Sequence, residues 1–304
     1  VKVLVTGGAG LVGMALRRHL EAAGHSVLAT DIANFSRHDP DLVLADLDDH
    51  VRLEQMVVEG GVQAIVHSGG ISGPLMQRET PLNVMRINVA STAFLLDLAR
   101  RHSINRFLLM SSHVVYGHSD KAVISEEDAV HPGTTYAASK VAGEALVESF
   151  AREFGVSAAA LRLTRVYGPH RRANCYLRQA IEDSFAGKTT IIPCDTSFPY
   201  HFLSVEDVAG ATLAALATEK LEHATYNVGS GEVLTMDAVR DTILATVPGA
   251  RIELVEGRDP APEVQNDFSL QRLAEDAGWR PHYPLAAGFA DYYRRALADG
   301  KVMQ

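Results

Sequence analysis

The sequence predicts an α/β fold, a doubly wound parallel sheet followed by a smaller C-terminal lobe. Three observations predict it. Short apolar segments alternate with longer amphipathic ones through the first half of the chain. A glycine-rich turn, GGAGLVG over residues 7–13, follows the first apolar segment. After Gly168-Pro169 the rhythm loosens into mixed segments richer in His, Arg and Pro. Strand–helix alternation with short links implies a parallel sheet with helices on both faces.

The elements follow in order. Val1–Thr6 reads as a first strand rather than a signal peptide, because it ends in the glycine turn and lacks a basic leader. A helix is expected over Leu11–Ala23, then strands at Ser26–Asp31, Leu42–Ala45 and Ala64–His67. A long helix is expected over Leu82–His102, a strand at Arg106–Ser111, a helix at Tyr136–Phe154 and a strand at Ser157–Leu163. In the Tyr136–Phe154 helix, Val141, Ala145 and Val147 recur at helical spacing beside Glu144, Glu148 and Arg152, read as its exposed face. The expected division is 1–165 for the cofactor-binding sheet and 166–304 for the substrate-binding lobe, with the helix Val205–Ala217 packing back on the sheet. No apolar run is expected to span a membrane, and no internal repeat is visible.

The chain has 304 residues, with 28 Lys and Arg against 37 Asp and Glu, a net charge of −9. An acidic balance excludes a general binder of nucleic-acid backbone, which needs a basic surface, though it leaves room for a local basic pocket. Two cysteines, Cys175 and Cys194, cannot build a disulfide framework or a four-cysteine zinc site, and a reducing, cytoplasmic setting fits. The histidines show no metal-ligand spacing, so metal catalysis is not expected.

The glycine loop carries the first chemical signal. Gly7 allows a tight turn, Gly10 lets the backbone approach a pyrophosphate, and Gly13 lets the helix sit close to the sheet. The helix N-terminus at Leu11 and Val12 offers free N–H groups and positive dipole to phosphates. With a strand before and a helix after, the loop is expected to be the dinucleotide site of a Rossmann sheet, the bland alternative being a simple turn. Asp31 ends the second strand, where a carboxylate accepts from ribose hydroxyls and repels a 2′-phosphate, favouring NAD over NADP. Arg37 follows and could instead meet a 2′-phosphate. Asp46 and Leu47, past the third strand, fall near the expected adenine. Ser68, Gly69 and Gly70, after His67, permit close backbone approach to the cofactor.

The second signal is Tyr136 with Lys140, spaced i,i+4 at a helix start, so both lie on one face. A Lys charge beside a phenol is expected to lower its pKa, fitting Tyr136 to exchange a proton with a secondary alcohol. Ser112, at the end of the strand RFLLMSS, could hydrogen-bond the same substrate oxygen. Taken singly, each has a bland alternative: a surface tyrosine, a solvated lysine, a strand-end cap.

With these motifs on the page, the chain resembles the extended short-chain dehydrogenases/reductases, the group of NAD-dependent sugar epimerases and dehydratases. The resemblance rests on GGAGLVG, Asp31, Asp46-Leu47, HSGG, Asn88 in INVASTAFLL, SSHVVYG, YAASK, LRLTRVYGP, YHFLSVEDVA, YNVGSG and GWRP, and covers nearly the whole chain. It implies Ser112, Tyr136 and Lys140 as catalytic residues, Lys140 and Asn88 among the cofactor contacts, NAD as cofactor, and a homodimer through the two long helices.

The chain departs from that pattern at substrate-side positions. Arg165 stands where Asn is usual, and Tyr200 where a diphosphate-gripping Arg is often found, while Arg258 sits about where a second such Arg would be. Arg165 offers a planar fork suited to a carboxylate or phosphate, or it pairs with an acidic neighbour. His170, Arg171, Arg172, Asn174, Tyr176 and Arg178 follow as a cationic rim or a solvated helix start. His113 touches substrate or packs under the next loop. Dehydratases of the family generally carry an acid pair after the serine, and His113-Val114 here disfavours dehydration. The expected activity is hydride transfer at a secondary hydroxyl of a sugar or sugar acid. The alternatives are a UDP-sugar 4-epimerase with transient oxidation by bound NAD and, in another class, a silent NAD-sensing module.

Overall fold

The computed structural model describes residues 1–35, 38–73, 76–172, 175–258 and 263–298. The order is β1 (Lys2–Thr6), α1 (Leu11–Ala22), β2 (Ser26–Asp31), β3 (Leu42–Leu44), α2 (His50–Gly60) and β4 (Ala64–His67). A long helical run follows, made of α3 (Pro81–Met85), a π-helical turn (Arg86–Ala90) and α4 (Ser91–Arg101). Then come β5 (Arg106–Ser112), β6 (Val123–Ile124), α5 (Thr135–Phe154), β7 (Ala158–Leu163), β8 (Arg165–Tyr167), α6 (Tyr176–Phe185), β9 (Thr190–Cys194) and β10 (Phe202–Ser204). The chain continues through α7 (Val205–Ala217), β11 (Thr225–Val228), α8 (Met236–Thr246), β12 (Ile252–Glu256), β13 (Asp267–Phe268), α9 (Gln271–Ala277) and α10 (Leu285–Ala298).

Seven strands form the main sheet in the order β11-β7-β5-β4-β1-β2-β3, with every neighbouring pair parallel. The winding reverses between β1 and β4, and a ligand crevice opens there at the carboxyl ends of the strands. The expected strands and helices fall within a residue or so of their places. Two elements of the sheet layers are additional. One is α2, capped by Asp49 accepting from the Arg52 N–H and closed by Gly61 at φ +62°. The other is β11, which pairs with β7 from far beyond residue 165.

Apolar side chains cover both sheet faces. Val3, Val5, Val66, Leu108 and Leu161 pack with α1 and α7 on one side. Leu4, Ile65, Phe107 and Leu109 pack with α2, α4 and α5 on the other. Glu206, in the first turn of α7, ties this arrangement together by accepting from Arg18 and His19 at 2.6 Å and Arg295 at 2.9 Å. Burial works against its charge, and hydrogen bonds from His19 and Arg18 override it and hold the carboxyl at about 2.

Two sequence expectations are corrected. Pro81–Arg101 forms 21 residues of continuous helix, apolar enough by length and composition to cross a membrane. Much of it is core: Leu95, Leu96, Leu98 and Ala99 pack with Phe107, Leu109 and Val147. The second correction concerns Glu144, expected on the exposed face of α5. It is 5% exposed, because Arg162 on β7 reaches it at 2.7 Å from beneath the helix.

Candidate active site

The crevice starts at the glycine loop. The chain leaves β1 at Gly7 with φ +69°, and a Cβ there would stand 2.7 Å from the Gly69 Cα, so the exits of β1 and β4 touch. A Cβ on Gly13 would strike the Gly7 carbonyl. Helix α1 begins at Gly10 with no side-chain cap. The N–H groups of Leu11, Val12 and Gly13 therefore form the positive end of an uncapped helix, an arrangement suited to a pyrophosphate.

Asp31 lies across from this turn. Its Oδ2 accepts from the Ala9 N–H at 3.1 Å and its Oδ1 from the Ile32 N–H at 2.8 Å. Each carboxylate oxygen keeps a lone pair for a ribose hydroxyl. Leu47 reaches the Gly69 backbone, and Asp46 accepts from the Asp48 N–H at 3.0 Å, closing its own turn. Ser68 donates to the Thr6 carbonyl at 2.6 Å. Arg37 and Asn174 lie outside the described residues. A cradle that only glycine fits, an uncapped helix end and an acceptor-only carboxylate suit NAD, which when bound supplies a hydride acceptor. Asp31→Ser is expected to weaken NAD and improve NADP relative to it, because the charge that repels a 2′-phosphate is lost. The ratio of the two dissociation constants checks this, and an unmoved ratio would show that Asp31 does not face the ribose.

The reactive end sits where β5 and α5 meet. Ser112 ends β5, and Thr134 caps α5 by accepting from the Ala137 N–H at 3.1 Å, which sets Tyr136 in the first helical turn. Burial raises the Tyr136 phenol above 10. Hydrogen bonds from Ser112, Ser72 and the Gly73 backbone, then the Arg171 charge, pull the other way without overcoming it. This corrects the expectation that Lys140 lowers the phenol. The Lys140 Nζ lies 5.8 Å from the centre of the Tyr136 ring and donates to the Met110 carbonyl at 2.7 Å. Burial brings Lys140 down to about 8, with the Glu144 charge opposing. It remains largely charged at neutral pH.

Beneath Lys140 runs a buried polar chain. Glu144 accepts from Ser111 and from Arg162 Nε at 3.0 Å, and Arg162 Nη1 donates to the Tyr116 hydroxyl at 2.8 Å. Tyr116 in turn donates to Asn227 of β11 at 2.7 Å. Tyr136, Lys140 and Glu144 thus lie on one stripe of α5, with a buried phenol at one end and a paired charge at the other.

Other residues singled out from the sequence take different places. Asn88 spends its amide on structure: it accepts from the Ile71 N–H at 2.8 Å and donates to the Ile71 carbonyl at 3.0 Å and Ser139 at 2.9 Å. It shapes the loop through Gly70, whose φ is +142°. The Arg172 guanidinium lies 3.2 Å from the centre of the Phe35 ring, which puts it beside the loop that follows Asp31. Arg165 lies over the rings of Phe198 at 5.7 Å and Tyr200 at 5.2 Å, so Tyr200 is a fully buried platform under Arg165. Arg258 is exposed just past β12. His113 donates from Nδ1 to the Gln265 amide oxygen and meets Phe268 edge-on, and burial pushes it down to about 3.

Three contributors were not legible in the sequence. Ser72 and Gly73 reach the Tyr136 phenol, where the charge of Arg171, already marked in the sequence as part of a cationic segment, also acts. Gln265 holds the turn after Ser112 from far along the chain, donating to the His113 and Gly117 carbonyls at 3.1 and 2.7 Å. No local pattern marks Ser72, Gly73 or Gln265. Among the described residues, no group of three His, Cys, Asp or Glu side chains is placed to hold a metal ion.

Comparison with known proteins agrees with this geometry. Residues 3–229 match the model of the NAD dependent epimerase/dehydratase family. The chain is 29% identical to UDP-glucose 4-epimerase of Corynebacterium glutamicum over 93% of this chain and 92% of that one. It is 25% identical to dTDP-glucose 4,6-dehydratase of Escherichia coli over 95% and 91%. Its fold superposes on MoeE5 in complex with UDP-glucuronic acid and NAD with a TM-score of 0.84 and 25% identity, covering 97% of this chain and 100% of that one. The glycine cradle, the Ser112/Tyr136/Lys140 set and the family match converge: this chain belongs to the NAD-dependent epimerase/dehydratase family, an extended short-chain dehydrogenase/reductase.

Proposed function

We propose that this enzyme epimerises a secondary hydroxyl of a nucleotide-linked sugar, with a sugar acid favoured over a neutral sugar. The observation that carries the reading is the Tyr136 phenol, buried with Ser112 and Ser72 on it and Lys140 one helical turn away. Tyr136 takes the hydroxyl proton and later returns it. Ser112 donates to the substrate oxygen as it becomes a carbonyl, and Lys140 supplies positive charge beside the phenolate. The residues after Ser112 support epimerisation over dehydration. His113 is held neutral at Gln265 and Val114 is buried, so neither offers the carboxylic acid that removal of water needs. Residues 166–304, apart from α7, β11 and α9, which pack with the sheet, form the substrate lobe in this reading. Arg258 stands at its rim for a diphosphate.

Arg165 supports the preference for an acid. It projects from β8 close enough to His113 and His201 for its charge to act on both. The Phe198 and Tyr200 rings lie under its guanidinium, and a planar fork there suits a carboxylate. Arg165→Ala is expected to cost about 2–4 kcal/mol in kcat/KM on UDP-glucuronic acid and much less on UDP-glucose. Arg165→Lys should recover only part. Steady-state kinetics on that pair, which differ by carboxylate against hydroxymethyl, decide it. Equal losses on both would make Arg165 structural. The same reading has two copies pairing through α4 and α5 in the cytoplasm, and light scattering on the purified protein tests the pairing.

A further inference from the structure

His67 closes β4 and is 1% exposed, yet no step assigned to Tyr136, Ser112 or Lys140 uses it. Its two ring nitrogens are both engaged. Nδ1 lies 2.7 Å from Thr6 Oγ1 and Nε2 lies 3.2 Å from Ser91 Oγ. The direction of every proton in this chain follows from its last member. Ser91 Oγ contacts the Ile87 carbonyl at 2.5 Å, and a carbonyl only accepts, so the Ser91 proton is spent there. Ser91 Oγ must then accept from His67, which places a proton on Nε2. Burial and the nearby Lys140 charge keep the ring neutral, so Nδ1 is bare and accepts the Thr6 O–H. That leaves the Thr6 oxygen to accept the Gly69 N–H, which it does at 3.1 Å.

The donors therefore run one way: Gly69 N–H to Thr6, Thr6 O–H to His67, His67 N–H to Ser91, Ser91 O–H to Ile87. Hydrogen bonds aligned in one direction polarise and strengthen one another. The chain also closes on itself. Ile87 lies in the π-helical turn, whose next residue, Asn88, binds the Ile71 N–H and carbonyl. Gly69 and Ile71 are thus both anchored to one turn, and Gly70 between them sits at φ +142°. The segment so held leads directly to Ser72 and Gly73 at the Tyr136 phenol and lies against Gly7 of the cofactor cradle.

We propose that His67, locked as the neutral tautomer with its proton on Nε2, is a positioning residue that sets the 69–73 loop for both the cofactor and Tyr136. The role of that loop rests on the reading of the site given above. The proton arrangement does not.

Two measurements test it. The first is the ¹⁵N spectrum of the ring-labelled full-length protein, recorded without nucleotide. Nδ1 of His67 should show as a bare acceptor and Nε2 as protonated, with no change between pH 5 and 8. The opposite tautomer or a cationic ring would overturn the proposal. The second is a double-mutant cycle of Thr6→Val and His67→Phe, read as the NAD dissociation constant. Each single change is expected to weaken NAD about tenfold, and the pair together little more than either alone, because both break one chain. His67→Gln, which carries an acceptor and a donor, should recover part of the loss. Additive losses, or unchanged NAD binding in both single variants, would make His67 a packing residue and overturn the proposal. If wild-type protein bound no NAD, the cofactor reading would fail, and the same cycle read by thermal unfolding together with the tautomer would still decide the relay.

Discussion

Tyr136→Phe is expected to lower turnover by ~10²–10⁴ while leaving the NAD dissociation constant nearly unchanged. The substitution removes one oxygen from a buried ring and leaves its packing against Val114 and Ala137 in place. What it deletes is the group proposed to exchange a proton with the substrate hydroxyl, together with the partner of Ser112 and Ser72. Because burial raises the Tyr136 phenol above its ordinary range, the phenolate is a minor form at neutral pH. The wild-type rate should therefore climb as pH rises toward the point where the phenol ionises, and the residual rate of the Phe variant should lack that climb. Single-turnover rates across pH, alongside NAD titrations, make the measurement. Near-normal turnover in the variant would remove Tyr136 from the chemistry.

Glu144→Ala is expected to destabilise the fold by about 3–5 kcal/mol, the cost of leaving a buried charge without its partner. Arg162 is 6% exposed and Glu144 5%. Burial works against the Arg162 charge, and the hydrogen bonds and charge of Glu144 more than offset it. With the carboxylate gone, Ser111 and Arg162 both lose their acceptor and the guanidinium stays between β7 and α5. The midpoint of urea unfolding reads the effect. A loss below about 1 kcal/mol would mean that water reaches Arg162 and the pair is not sealed. Lys140, one turn before Glu144, also loses the negative charge that holds its pKa up. It should release its proton at lower pH in the variant.

These two residues show how unevenly the sequence speaks. Tyr136 and Lys140 share a face because a helix brings i and i+4 together, and that needs no tertiary information. Glu144 is the next position on the same stripe, yet it looks like an ordinary exposed glutamate. Its partner lies on β7, and only the packing of α5 over β5 and β7 reveals that this stripe faces inward.

Local chemistry determined what the sequence alone could settle. The sheet strands and their helices, the glycine cradle, the carboxylate at the end of β2 and the Tyr136/Lys140 pair each depend on residues a few positions apart, where backbone geometry fixes the outcome. Tertiary structure decided everything that joins distant segments. It brought β11 into the sheet, sent Arg172 to Phe35, laid Arg165 over Phe198 and Tyr200, turned Lys140 to the Met110 carbonyl, and placed Gln265 under His113. It also set the Tyr136 phenol above its ordinary range, because desolvation depends on what surrounds a group in three dimensions, whereas a neighbouring charge can be counted along a helix.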